Sequence, residues 1–176
     1  MAKIREFRRR LVSLIAMLPW IPGLAASGPR RPAFIVPFAV QRQGSRFATE
    51  LEVTEAKTYT LTLRLGFKEN DPADRKRVRA LAGGGGRDKN GNLLEPGLEI
   101  PVRLTIVGIK PSAEKPLLEK TYLVKEQQGF TASSFSQLID QVHMQPGIYR
   151  MSVESVQDIP ELEGVPVSFA IGPSRR

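Results

Sequence analysis

The chain has 176 residues, a formal net charge of +8 and 41% apolar residues, which is typical of one soluble domain with a core and a basic surface. It contains no cysteine, which excludes disulfides and thiolate chemistry. His143 is the single histidine, so most zinc sites and histidine-dependent catalytic arrangements are excluded as well.

The N-terminal segment has the three parts of a bacterial secretory signal. Five basic residues and one acid lie within residues 1–10, an apolar run with two prolines follows, and small residues end it. The run is shorter than the roughly 20 apolar residues that a spanning helix needs. We expect residues 1–26 to be a signal peptide, cleaved near Ala25 to Ser27, and the mature protein to be periplasmic or secreted, without a transmembrane helix. An N-terminal amphipathic helix or anchor is the alternative.

The expected cleavage region resembles a lipobox, the signal at which a cysteine receives lipid. Ser27 stands at the position of that cysteine, after Leu24, Ala25 and Ala26. Without a thiol the thioether to the lipid cannot form, so we expect no lipid anchor here. Because residues 1–10 carry about half of the net charge of +8, the rest of the chain is only moderately basic, which argues against a nucleic-acid partner.

Seven segments after residue 32 have the composition of short strands. The clearest is residues 58–67, where large apolar side chains alternate with threonine and arginine, a pattern of one buried and one exposed face. Because proline cannot donate to a strand ladder, Pro37 predicts that the first segment is an edge strand or a strand broken by a switch between sheets. In chain order the segments are residues 33–40, 46–53, 58–67, 100–109, 117–124, 148–156 and 165–171.

Two segments favour helices. In the first, Asp71 is a suitable N-cap, Pro72 fits the first helical position and Gly83 is a natural stop. The second follows Ser133 and Ser134, where four apolar residues have helical spacing. Those four residues are Phe135, Leu138, Ile139 and Val142.

About seven short strands with two short helices in connections predict an all-β fold, an immunoglobulin-like antiparallel β-sandwich. Tyr149, just after a Gln-Pro-Gly corner, fits a tyrosine corner, in which the hydroxyl bonds to upstream backbone. The expected organisation is a polar lead over residues 27–32, the sandwich domain over residues 33–172 and a tail over residues 173–176.

Several segments together resemble one known family. They are "VPFAV", "TYTLTLRLGF", "DRKRVRALAG", "EPGLEIPVRLTI" and "PGIYRMSVESVQDIPELEGVPVSFAI". The family consists of exported proteobacterial proteins, many of them lipoproteins, and is catalogued as a domain of unknown function. The resemblance runs from Pro32 to Gly172 and implies an immunoglobulin-like β-sandwich. It implies no activity and no site residues, and the missing lipobox cysteine departs from the lipoprotein members.

The segment "LAGGGGRDKNGN" has the composition of a ligand loop but the wrong order for one. A phosphate loop needs Ser or Thr after its lysine and a helix that follows, and Lys89 has neither. A calcium loop centred on Gly91 would place Gly86 and Gly97 at its two essential acidic positions. We therefore predict a helix stop, a flexible loop and a tight turn at the Asn-Gly pair.

The other candidate catalytic groups lack suitable partners. His143 is expected at the end of the second helix, three residues from Asp140, which is poor geometry for a Ser/His/Asp set. Asp158, Glu161 and Glu163 are candidate metal ligands or paired carboxylates, but we expect them in a solvated loop that joins two strands. We assign no catalytic residue, no cofactor and no metal.

A basic patch on and around the first helix is the candidate interaction surface. It can meet an acidic protein, an anionic membrane surface or a polyanion, with a solvated face as the alternative. It lacks interleaved aromatics, which argues against nucleic acid. Its residues are Lys68, Arg75, Lys76, Arg77, Arg79, Arg87 and Lys89.

The function expected from these features is that of a non-enzymatic exported β-sandwich that binds a protein or envelope component. An immunity-type inhibitor of a toxin delivered into the periplasm is the alternative. A hydrolase is the least favoured class, because no nucleophile lies beside a credible base.

Overall fold

The computed structural model describes residues 31–84, 86, 88–92, 94–109 and 114–174. The expected signal peptide, its cleavage region and Arg87 lie outside these residues. In chain order the described elements are β1 (Phe34–Pro37), β2 (Arg46–Val53), β3 (Lys57–Gly66), α1 (Pro72–Ala82), β4 (Ile100–Ile109), β5 (Glu114–Val124), β6 (Gln127–Phe130), β7 (Ser134–Met144), β8 (Gly147–Ser155) and β9 (Val167–Pro173). One 3-10 turn, Pro160–Leu162, precedes β9.

The strands form two antiparallel sheets that enclose one core. The five-stranded sheet has the order β1-β9-β3-β7-β6, and the four-stranded sheet has the order β2-β8-β4-β5. Buried apolar residues from both sheets make a single cluster between them. The predicted all-β sandwich is confirmed, with nine strands among the described residues rather than about seven.

The alternating apolar and polar residues of β3 have the buried and exposed faces that their pattern predicted. Tyr59, Leu61, Leu63 and Leu65 are buried in the core, while the residues between them lie on the outer face. Because β3 pairs with β9 on one side and β7 on the other, its backbone is bonded along both edges. The strand β1, which contains Pro37, lies at the sheet edge, the first of the two alternatives predicted for it.

The prediction of a second helix was wrong, because this segment is the strand β7. It pairs with β3, and the register shifts between Leu61, which faces Asp140, and Thr62, which faces Leu138. Ile139 is therefore an extra residue, as in a β-bulge.

The bulge explains why the sequence of β7 resembles a helix. Phe135 and Ile139 are buried before the shift and Val142 and Met144 after it. The extra residue moves the buried positions by one, so residues 135, 139 and 142 acquire spacings of four and three. These are the spacings of a helix face, although each half of β7 alternates normally.

The helix α1 ends as its sequence predicted. Asp71 Oδ1 accepts a hydrogen bond from Asp74 N at 3.0 Å, and Gly83 takes the left-handed conformation with φ of 79°. Val78 and Ala82 are buried in the core. These local signals place the helix boundaries, whereas its position on the sheet depends on contacts with β3 and β7.

A buried amide fixes the C-terminal end of α1 to β7. Gln137 is fully buried, and its Nε2 donates to the Ala82 carbonyl oxygen at 3.1 Å. That carbonyl belongs to the last turn, where helix carbonyls lack partners within the helix.

Tyr149 forms the contact expected of a tyrosine corner. Its hydroxyl donates to the Gln145 carbonyl oxygen at 2.8 Å, across the turn that joins β7 to β8. Its hydrogen bond therefore links the start of β8 to the end of β7.

We expect Gln137→Ala to lower the free energy of unfolding by about 1–3 kcal/mol, because the Ala82 carbonyl would lose its buried donor. Urea unfolding at neutral pH measures the change. Gln141→Ala, at an exposed position of the same strand, is the control and should leave the stability nearly unchanged. Equal stability of the two variants would show that the buried hydrogen bond does not stabilise the fold.

Candidate interaction surface

The described cations of the candidate patch lie on α1 and in its flanking connections. Arg75, Lys76, Arg77 and Arg79 are exposed on the helix, Lys68 precedes it, and Lys89 follows in the turn beyond it. Nearly as many carboxylates lie in the same stretch of chain, which makes the local charge far more balanced than the basic run alone implies. These carboxylates are Glu69, Asp71, Asp74, Asp88 and Glu95.

Two of the helix cations have acidic partners. Arg77 donates to Asp74 Oδ1 from Nη2 at 2.7 Å and from Nε at 3.1 Å. Arg79 Nε lies 3.7 Å from Glu95 Oε2, a longer contact between half-exposed groups. Arg77 therefore stabilises the start of α1 and is less available for an external partner.

Asp74 joins the start of α1 to the connection that follows β3. Its Oδ2 accepts a hydrogen bond from Lys68 N at 2.8 Å, and its Oδ1 accepts from Arg77. The hydrogen bond from the Lys68 backbone, followed by that from Arg77, holds the pKa of the Asp74 carboxyl below its usual value. Both donors favour the ionised form.

Arg75 and Lys76 remain available for an external partner. The Arg75 guanidinium lies over the Phe67 ring, 5.6 Å from its centroid. Lys76 is exposed, and neither residue forms an ion pair within the described part of the chain. These two side chains carry the free positive charge of the helix.

Phe130 belongs to this side of the molecule, although no local sequence pattern indicates it. Its side chain is 69% exposed, although it lies opposite Phe135 in the β6–β7 pair. Cross-strand partners point to the same face of a sheet, and Phe135 packs its ring 5.0 Å from Phe67. Phe130 therefore lies on the side of the sheet that carries α1. We call Arg75, Lys76 and Phe130 the α1–β6 surface.

A shallow cleft of about 360 Å³ borders this surface at the N-terminal end of α1. Its lining includes Phe67, Arg75 and Ala132, which lies two residues after Phe130. The cleft therefore exposes an aromatic ring and a guanidinium on the side of the sheet that carries Phe130.

The glycine-rich segment is partly packed rather than slack. Gly83 and Gly84 are buried, and a Cβ at Gly83 would lie 2.5 Å from the Lys125 carbonyl oxygen. A Cβ at Gly84 would lie 2.7 Å from Arg79 Cγ. Gly83 is the predicted helix stop, whereas the prediction of a flexible loop was wrong for Gly84. Both glycines let the helix end pack closely against its neighbours.

The predicted tight turn at the Asn-Gly pair is confirmed. Gly91 has a φ of 85°, and Asp88 Oδ1 accepts hydrogen bonds from Asn90 N at 2.8 Å and Asn92 N at 2.9 Å. Hydrogen bonds from Asn92 and Asn90 lower the pKa of Asp88. The carboxylate thus organises the turn itself.

His143 lies on β7 and not at a helix end, which corrects the expected position. Its Nδ1 lies 3.3 Å from Thr58 Oγ1, and its Nε2 lies 3.1 Å from Gln145 Nε2. Asp140 instead accepts a hydrogen bond from the Tyr122 hydroxyl on the other sheet. Burial, and then Asp140, raise the pKa of Tyr122. The structure therefore does not bring Asp140 and His143 together.

The acidic loop before β9 is a structural connection. Asp158 Oδ1 accepts a hydrogen bond from Gln43 N at 2.8 Å, and Glu161 lies in the 3-10 turn, where Leu162 is buried. Within the described ranges, no group of three or more acidic or histidine side chains is arranged to hold a metal. No helix in those ranges is long and apolar enough to cross a membrane.

Comparison with known proteins gives a family and a fold. Residues 35–173 match the family described as a domain of unknown function, DUF5625. The chain belongs to this family. A crystal structure of a protein from Sulfurospirillum deleyianum is similar to this DUF5625 chain, with a TM-score of 0.68 and 20% identity over 85% of this chain and 100% of that one. At this identity the likeness shows the fold alone, and no curated protein matches the chain.

The DUF5625 match includes every element that forms the candidate surface. Its bounds run from within β1 to the end of β9, so α1 and β6 belong to the family domain and are not additions to it. The predicted resemblance to a domain of unknown function is thereby confirmed.

We expect Asp74→Asn to destabilise this DUF5625 domain at about pH 7 and to have little effect at about pH 2. The pKa of Asp74 is lowered in the folded state, so its contribution is present above the unfolded value near 3.8 and is lost as the pH falls through the lower folded value. Urea midpoints of both proteins across this range measure the difference. Glu69→Gln, at a neighbouring exposed position, is the control, and a pH-independent difference for Asp74→Asn would contradict the explanation.

Proposed function

We propose that this protein is an exported, non-enzymatic β-sandwich that binds a protein of the cell envelope through the α1–β6 surface. The observation that carries the proposal is the exposed Phe130 on the side of the sheet that also carries Arg75 and Lys76, two cations without ion pairs among the described residues. Aromatic and arginine side chains dominate the binding energy of protein interfaces.

The balance of charges favours a protein over a polyanion or a lipid surface. Arg77 and Arg79 have acidic partners, and further carboxylates surround the helix. A polyanion gains affinity from many unpaired cations at once, which this surface does not offer. A protein with one or two acidic side chains beside an apolar pocket fits Arg75, Lys76 and Phe130 better.

The fixed position of α1 supports the same function. Gln137 and the buried Val78 and Ala82 hold the helix to the sheet. A rigid element loses little conformational freedom when a partner binds, which leaves more of the contact energy as affinity. We also propose an immunoglobulin-like relationship, which the two antiparallel sheets and the Tyr149 corner support.

The test is capture of a partner from an envelope fraction of the source bacterium by the tagged mature protein. We expect Lys76→Glu and Phe130→Ser each to reduce capture of a specific partner about tenfold, since the loss of an interface contact worth about 1.4 kcal/mol has this effect. Quantitative mass spectrometry of the captured proteins measures the change.

Matched substitutions on another part of the molecule are the controls for this experiment. Arg42→Glu reverses an exposed cation, and Ile148→Ser removes an apolar side chain that is 40% exposed on the other sheet. Both should capture the partner as the unmodified protein does. A partner lost equally from all four variants, or from none of them, would exclude the α1–β6 surface as its binding site.

Export rests on the pattern of residues 1–28, a basic run followed by an apolar run and small residues. In a Gram-negative host, we expect intact-mass spectrometry of the periplasmic protein to give an N-terminus near Ala25 to Ser27. Reversal of Arg8, Arg9 and Arg10 to Glu should leave the unprocessed chain in the cytoplasm, because the positive n-region is lost. Reversal of Arg42 is the control, and a periplasmic protein that retains residues 1–24 would contradict cleavage.

A further inference from the structure

The outer face of the five-stranded sheet carries a furrow along β9. The outward residues of β9 are Ser168, Ala170 and Gly172, which are smaller than those on the neighbouring strands. The resulting depression has a volume of about 470 Å³ and is lined by residues of β1, β3 and β9. This size lies within the range of small-molecule sites.

The two walls of the furrow differ in chemistry. Ile35 of β1 and Thr62 of β3 lie on opposite sides of Ala170 in the strand register. Ile35 is 55% exposed, whereas Ala170 is buried although it lies outside the main core cluster. Thr60 adds a second hydroxyl on the β3 side. The furrow therefore has one apolar wall, one hydroxylated wall and a floor of small residues.

Arg64 supplies an unpaired positive charge to this furrow. Its side chain lines the depression beside Thr62, and it forms no ion pair with any residue that the structure describes. Its Nε atom is buried and has no hydrogen-bond acceptor among them. An arginine stays charged at all physiological pH values, so the site lacks both an acceptor and a counter-charge. A ligand with an anionic oxygen would provide both.

We propose that this furrow binds a small amphipathic carboxylate, with the carboxylate on Arg64 and the alkyl part against Ile35 and Ala170. A carboxylate matches the planar fork of a guanidinium, which donates two parallel hydrogen bonds. The hydroxyl group of Thr62, the neighbour of Arg64 on the same face of β3, can donate to the same anion. The exposed side chain of Ile35 gives an alkyl chain the apolar contact that a simple anion does not use.

The furrow is separate from the α1–β6 surface. It lies on the outer face at β1, β9 and β3, whereas α1 lies on the inner side of the same sheet and contacts β7. A substitution in the furrow should therefore leave binding at the α1–β6 surface unchanged, and the reverse also holds.

Calorimetric titration of the mature protein with decanoate tests the proposal, with acetate and decanol as comparison probes. We expect decanoate to bind. Acetate should bind at least about tenfold more weakly, because it lacks an alkyl chain to contact Ile35 and Ala170. Decanol should also bind at least about tenfold more weakly, because it lacks the charge that pairs with Arg64. Arg64→Gln should weaken decanoate binding at least about tenfold, through the loss of a charge-assisted pair.

Gly172→Leu tests the furrow without altering Arg64. No atom lies within 4 Å of a Cβ at Gly172, and its φ is not in the left-handed region. The leucine should therefore fill the furrow and abolish binding while thermal unfolding stays near that of the unmodified protein.

The matched controls are Gly129→Leu, an equally open glycine on β6, and Arg42→Gln, the loss of an exposed cation elsewhere. Both should bind decanoate normally. The proposal is overturned if decanoate does not bind, if decanol binds as tightly as decanoate, or if Gly172→Leu and Arg64→Gln bind it as the controls do.

Discussion

The pairing of β3 with both β7 and β9 is the constraint on which the rest of the molecule depends. One face of β3 supplies Leu61, Leu63 and Leu65 to the core. The other face supplies Arg64 and the threonines of the furrow. Because side chains alternate along a strand, a shift of the pairing by one residue would exchange the two faces. The same hydrogen-bond ladders therefore specify the core and expose the candidate ligand groups.

The position of α1 follows from this strand as well. The helix begins a few residues after β3 ends, and it packs on β3 and β7 through Val78 and Ala82. Gln137, an inward residue of β7, bonds to the end of the helix. The basic side chains of α1 and Phe130 of β6 thus lie on one side of the five-stranded sheet, because the sheet holds both elements. The sandwich provides rigidity, and its edges and faces provide the chemistry.

The sequence predicted those features that depend on local patterns. Alternation located seven strand segments, and the cap at Asp71 and the stop at Gly83 located α1. The helix predicted over β7 failed because one bulged residue near Ile139 gives the buried positions helical spacing. The strand β6 was missed because "QQGF" is short and has no apolar alternation.

For the candidate surface, the cations were predictable from their run in the chain. The partner of Arg79 and the exposure of Phe130 depend on residues distant in sequence, which no local pattern shows. Arg64 is a similar case, because its place in the alternating pattern of β3 is that of any outward residue. Its lack of a counter-charge depends on which residues of β1 and β9 lie beside it in the folded sheet, and no local pattern shows these neighbours.

The hydrogen bond between Gln137 and Ala82 has a consequence for the order of folding. The two residues are 55 positions apart, and closing so long a loop costs chain entropy before any contact stabilises it. The capped helix can form from its own residues, but its docking site exists only after β7 has paired with β3. We therefore expect the attachment of α1 to be a late event in folding, which completes the sandwich and creates the α1–β6 surface in the same step.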